Sequence, residues 1–439
     1  MDGESPTYYH TFPEKAGLFS RDYIRCCRFL LDPRSAAQGQ GFTKKLYSEL
    51  IGTSLVLEDF LDFHGAKYNQ EWFFYRELCA AVRHLSLAGY SQKHILNRLV
   101  YYDLGATEVF EAEGRATLEF LTESLRRLAP EIIAEAQRLG IPNPDGRLDA
   151  VDFPGITTRE RLEVTIESQA RHQEKKHLVK IANEFLNISK HFDQFGFYQP
   201  YNLKKIRSLV PDTINEVEVR RYEMLVHNLQ SSFDTYVSPG GYPLTDRKLR
   251  QLRSFFSVVF QLLQLMGRLL HFYERHLHEA GYKDIYQKVR DKLADLVDPD
   301  ALLDRTVNFG LYYACHFLSS GKAAAREILN ANIDRAIIEV GIPVTRGFHS
   351  RPSLLVAKVV QHYGGQVELV VGDARFDASS VLDIQWAGGK IQNENIAAVV
   401  FEGDARALRD LEILASVNYG EDAMGNGIPL PKELSYLRQ

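Results

Sequence analysis

Cysteine, tryptophan and methionine are all scarce in this 439-residue chain, which has four, two and four of them. Cys26 and Cys27 are adjacent while Cys79 and Cys315 stand far away, which matches neither a disulfide framework nor a zinc-ligand spacing. Free thiols in a reducing compartment are therefore expected. No apolar run reaches the ~18 residues a membrane-spanning helix needs. The closest approach, 255–270, is interrupted by Gln261, Gln264 and Arg268 and reads as a buried amphipathic helix. The first residues lack the basic start and apolar core of a signal peptide. A net charge of −5 offers no large basic surface for nucleic acid or acidic lipid. These features predict a cytoplasmic protein without membrane insertion or a nucleic-acid partner. The first 330 or so residues hold no Walker loop, no glycine-rich dinucleotide fingerprint and no serine elbow.

What is present falls into two textures. Residues 18–330 carry helix-period apolar patterns, and residues 333–415 alternate strand-like with helix-like runs. Helices are expected over 21–31, 44–63, 72–87, 91–103 and 108–139, with Ser91 as an N-cap. Residues 141–158, rich in proline and glycine, read as a linker. A second helical set is expected over 159–192, 212–236, 245–280 and 284–320, with a strong turn at 238–243. The expected division is 1–150 and 151–332 as two helical domains or subdomains, 333–417 as an α+β domain, and 418–439 as a tail.

The helical part shows no clear chemistry. Glu58, Asp59, Asp62 and His64 cluster in sequence, and Glu77 and His84 are near each other, but the Glu-x-x-His spacing of helix-bundle metal sites is not repeated. The runs 171–177 and 274–278 read as solvated, charge-dense helix faces. Neither a metal site nor a cofactor is expected.

The C-terminal part is more specific. Strands are expected at 336–343, 366–371, from 375, and at 396–401. Helices are expected at 352–363, from Ser379 or Ser380 to Ala387, and at 404–417. The order is βαββαβα, one antiparallel sheet with helices on one face. Between the first strand and the first helix stands Gly347-Phe348-His349-Ser350-Arg351-Pro352. An imidazole titrates near neutrality and is a competent nucleophile there. At a helix start, the backbone N–H groups of Ser350 and Arg351 can meet phosphate oxygens. Arg351 can grip two oxygens at once, and Pro352 needs no N–H partner in a first turn.

This stretch resembles the HPr phosphocarrier family of the bacterial sugar phosphotransferase system. The resemblance covers 333–417 and rests on the hexapeptide, the element order, Gly372, Ser380 and Phe401-Glu402-Gly403. It implies an open-faced sandwich in which His349 accepts a phosphoryl group with Arg351 as its partner. It also implies that enzyme I is the donor and an EIIA-type protein the acceptor. Ser380 matches a serine that an HPr serine kinase phosphorylates in some lineages; the plain reading is a helix cap. Val381, Leu382 and Trp386 would form an apolar partner surface, and Lys358 would face the partner.

A free-standing HPr is about the size of this one region, so a regulatory role is favoured over simple sugar-linked flux. The leading expectation is a phosphocarrier with an attached helical module; whether it also counts as an enzyme stays open. The second is an interaction protein that senses phosphorylation state and uses its helices to bind an output partner. The third, an enzyme site within the helices, has no catalytic constellation behind it.

Overall fold

The structure, a computed structural model, describes residues 11–32, 42–155, 174–193, 195–197, 199–237, 246–278 and 283–438. The expected turn at 238–243, residues 159–173 of the expected helix and the last residues of the expected linker lie outside the described residues. The chain divides into two compact units, one from residues 1–163, 192–228 and 254–319, the other from 164–191, 229–253 and 320–439.

The first unit is helical. Helix α1 (Phe12–Leu31) opens with a reciprocal cap between Thr11 and Glu14. Helix α2 (Lys44–Phe63) opens where Thr43 Oγ1 accepts from the Leu46 amide at 3.2 Å. They pack with α3 (Phe73–Arg98) and α4 (Glu108–Arg138). Cys26, Cys27 and Cys79 are buried and free, and burial raises the Cys26 thiol to about 12. They are inert packing residues.

Next come α5 (Glu174–Asp193), whose residues up to 191 belong to the second unit, the short α6 (Leu203–Arg207), and α7 (Glu216–Tyr236); residues 229–253, which take in the end of α7 and the start of the helix after it, belong to the second unit as well. Helix α8 (Arg247–Phe272) runs on into a π-helical turn, Tyr273–His278. By length and composition alone this continuous helix could cross a membrane, but 72% of its most apolar window is buried. It is a core helix, as the interrupted run 255–270 suggested.

Three helical expectations need correction. The helices expected at 72–87 and 91–103 are one helix, α3, because Ser91 and Gln92 are buried within it rather than capping a start. The single helix expected over 284–320 is broken into α9 (Asp284–Leu296), α10 (Pro299–Asp304) and a π-helical stretch, Arg305–Leu311. Asp298 caps α10 through the amides of Asp300 and Ala301, with Pro299 in its first turn. Helix α11 (Tyr312–Asn332) then continues past Gly321, since Ala325, Ile328 and Leu329 bury a face that outweighs the ~1 kcal/mol a mid-helix glycine costs.

The boundary expected near 150 does not separate compact units. Phe110 of α4 meets Phe309, Tyr313 and Phe317 at 4.7–5.6 Å between ring centroids, which ties the early helices to the late ones.

In the second unit the order is β1 (Arg335–Gly341), α12 (Ser350–Tyr363), β2 (Val367–Val371), β3 (Ala374–Asp377), α13 (Val381–Glu394), β4 (Ala398–Asp404) and α14 (Ala405–Ser416). The sheet is antiparallel throughout, in the order β1-β4-β2-β3. Ile338, Phe401, Leu369 and Phe376 form one cross-strand row on its inner face. Helices α12, α13 and α14 cover that face through Val356, Val360, Ile384, Leu408 and Leu411. The outer face is open and charged, with Arg375 bridging Glu368 and Glu402 at 2.6 and 2.8 Å. At Gly403, φ is +153° and an added Cβ would strike the backbone of Gln366, so glycine is required.

The boundary expected at 332 also moves, because this body packs on earlier helix. Gly364 lies against Leu186 and Leu329, and the Gln366 amide donates to Asn330 at 2.9 Å. The segment expected as a tail from 418 enters the core instead, over its described residues 418–438. Tyr419, Leu434 and Leu437 are buried within it, and Tyr436 and Tyr363 both donate to Asp410.

Candidate functional site

The loop from β1 to α12 turns at Arg346 and Gly347, whose φ values of +60° and +59° are left-handed. The next side chain, Phe348, is buried against Phe401 and Tyr419. With Phe348 pinned inside, His349 is carried outward as the N-cap of α12. Its carbonyl accepts from the Ser353 amide at 3.1 Å, but its ring does not cap the helix. Ser350 and Arg351 follow as the first two helical residues, where N–H groups have no intrahelical acceptor.

The histidine side chain is 31% exposed, so a macromolecular partner can reach it. Its Nε2 lies 3.1 Å from Glu421 Oε2. Glu421 is 1% exposed at its side chain, and its other carboxylate oxygen has no hydrogen-bond partner. A carboxylate only accepts when ionised, so Nε2 is the donor in this pair, which in a neutral ring leaves the lone pair on Nδ1. Among the described residues Nδ1 has no hydrogen-bond partner.

The segment expected as a tail positions this acid. Residues Glu421 and Gly427 form an antiparallel bridge closed by Asp422, which accepts from the Met424 and Asn426 amides. These bonds from backbone and side-chain amides hold the Asp422 carboxyl below its ordinary range. Asn418 Oδ1 accepts from the Val344 amide at 2.9 Å, and Tyr419 OH donates to the Gly341 carbonyl at 2.7 Å. The small hairpin is thus stitched to the loop that carries His349.

The other expected residues are placed as follows. Arg351 is exposed, and its guanidinium lies over Gly427, where a Cβ would overlap it. Ser380 caps α13, its Oγ accepting from the Asp383 amide at 3.2 Å. Gln385 Nε2 of α13 reaches Ser350 Oγ at 3.4 Å, so the two helices meet beside the site. Leu382 and Trp386 are 64% and 69% exposed on α13, and Leu354 is 46% exposed on α12. Lys358 is half-buried on α12. Glu421 escaped sequence reading: it stands 72 residues from His349 in a segment without periodicity, and nothing local marks it.

No protein-family model, no curated protein and no solved structure matches this chain.

Proposed function

We propose that the sheet-bearing unit is an HPr-like phosphocarrier whose open-faced sandwich presents His349 to partner proteins. The observation that carries this is the exposed imidazole at the start of α12 with Nε2 held by Glu421 and Nδ1 open. In this reading Nδ1 attacks phosphorus, an N–P bond forms, and the bond from phosphorus to the donor breaks. Glu421 keeps the Nε2 proton in place and offsets the positive charge that develops on the ring. The Ser350 and Arg351 amides and the Arg351 guanidinium meet the phosphoryl oxygens. Transfer onward reverses these steps. One exposed arginine and two backbone amides form a moderate cradle, which suits a carrier that must release its cargo.

Enzyme I as donor, an EIIA-type protein as acceptor and a regulatory rather than bulk-flux role belong to this reading, as does an HPr serine kinase acting on Ser380. The sheet order, the βαββαβα sequence of elements and the exposed apolar side chains of α12 and α13 support it. The test is incubation with enzyme I and labelled phosphoenolpyruvate. Acid-labile, base-stable label is expected on the wild type and absent from His349→Ala. No label, with enzyme I shown active on an ordinary HPr, overturns the reading.

A further inference from the structure

The first unit carries three histidines that a phosphocarrier does not use. His84 lies in α3, His271 near the end of α8, and His276 in the π-helical turn that follows. One ring nitrogen from each falls within 4.8 Å of the others. In a regular α-helix, residues five apart face different ways; the wider π-turn brings His276 round toward His271. The His84 and His271 rings stack at 4.2 Å, and His276 lies 6.0 and 5.9 Å from them.

The surroundings are those of metal ligands. His276 Nδ1 is 2.6 Å from Glu77 Oε2, and His271 Nδ1 is 2.9 Å from Glu216 Oε2. A carboxylate at Nδ1 holds the proton there and leaves Nε2 as the lone-pair donor, which is the usual outer support of a metal-bound imidazole. His84 is 2% exposed, and its Nδ1 has no hydrogen-bond partner. Leaving such a buried nitrogen unpaired is costly, and coordination would relieve it. Burial, reinforced by the neighbouring His271 and Arg83, holds His84 well below its ordinary pKa, in the neutral form that binds metal. Arg83 Nη2 lies 3.2 Å from His84 Nε2 and also pairs with Glu58. Metal capture at Nδ1 places the ring proton on Nε2 and turns that guanidinium to Glu58.

We propose that His84, His271 and His276 bind one divalent transition-metal ion, zinc by the chemistry of three neutral imidazoles. Its fourth position opens on the adjoining cavity. That cavity measures about 510 Å³ and is lined by His271 and His276 together with Arg76, Glu77, Arg275 and Tyr286. Glu77 and Glu216 supply two negative charges against the dication. Zn–N bonds of about 2.0–2.1 Å set tetrahedral ligands roughly 3.4 Å apart, so the rings draw in on the ion. Three protein ligands with one open position is the pattern of catalytic rather than structural zinc.

The experiment uses the full chain, stripped with chelator and re-equilibrated with zinc. Metal analysis is expected to find one zinc per chain, and X-ray absorption three imidazole nitrogens at about 2.0 Å. His271→Gln and His276→Gln are each expected to lose at least tenfold in zinc affinity, and Glu77→Gln about 10–100-fold. His349→Ala should bind zinc as the wild type does, which separates this site from the phosphocarrier. Substoichiometric zinc, or fewer than three imidazoles around it, overturns the proposal. So does unchanged binding in a folded His271→Gln/His276→Gln double variant. The absorption spectrum of the wild type decides even where a variant does not fold.

Discussion

Glu421 reaches back over 72 residues to place a carboxylate oxygen 3.1 Å from Nε2 of His349. The acid is buried and the histidine is not, so the pair is a fixed support under a reachable ring. Hydrogen bonds to a charged group contribute about 1.5–3 kcal/mol, or roughly ten- to hundredfold in a rate that depends on them. In the proposed phosphocarrier, Glu421→Ala should slow phosphoryl loading of His349 by that factor. It should also release the ring to sample both tautomers, visible as an averaged nitrogen shift. Loading at the wild-type rate would remove Glu421 from the mechanism.

In the proposed phosphocarrier, Arg351 is the second support. Its guanidinium rests over Gly427, where no side chain larger than hydrogen fits without displacing it. Arg351→Ala is expected to slow both loading and onward transfer. Gly427→Val should produce a smaller loss of the same kind by pushing the guanidinium aside. If transfer rates in both variants equal the wild type, the arginine has no part in holding the phosphoryl group.

Leu382 and Trp386 are large, apolar and exposed. Surface truncations away from packing usually change stability by no more than about 0.5 kcal/mol. As contact residues they should matter to a partner, since buried tryptophan anchors dominate interfaces. Trp386→Ala should therefore raise the KM for enzyme I by about tenfold with little change in thermal midpoint. A lower midpoint with KM unchanged would assign the residue to packing.

Tyr419 ties the C-terminal segment to the sheet, with its ring against Phe348 and its hydroxyl on the Gly341 carbonyl. Truncating a buried aromatic costs about 3–5 kcal/mol, and removing one hydrogen bond about 1 kcal/mol. Tyr419→Ala should speed amide exchange across 398–404 accordingly, and Tyr419→Phe far less. Equal exchange in Tyr419→Ala and the wild type would mean that the segment is an appendage after all.

In the helical unit, Arg76 is held by Asp62, Glu58 and Glu77 at 2.7–3.1 Å. Removing one partner from a buried ion cluster costs about 3–5 kcal/mol, because the remaining charges lose their compensation. Arg76→Ala should destabilise this unit by that amount in denaturant unfolding. Burial pushes the Asp62 carboxyl up, but the bidentate bond to Arg76 outweighs it and holds the group below its ordinary value. Its contribution is therefore complete above about pH 4 and fades as pH falls through the folded-state value. Asp62→Asn should flatten that acid limb of the stability curve; an unchanged limb would contradict the assignment.

Much of the local architecture can be read from residue order. Helix α2 has the bounds its apolar spacing indicates, and the strands and helices from 335 to 416 follow in the expected order. Glycine and proline punctuation and the period of burial are local signals, so they survive in a single sequence. At two places burial overrode local chemistry, while the break at Asp298-Pro299 was a local cap signal inside an apolar period. Ser91 is a strong capping residue placed inside a helix, and Gly321 is a breaker carried through one.

By itself the sequence determined the hexapeptide 347–352, the turn that precedes it and the helix that follows, because all of these depend on neighbours a few residues apart. Only the tertiary structure decided what stands around them. The Glu421 carboxylate beside His349, the guanidinium over Gly427 and the convergence of His84, His271 and His276 join residues far apart in the chain. Such contacts form when a whole core closes, and no local period or cap encodes them.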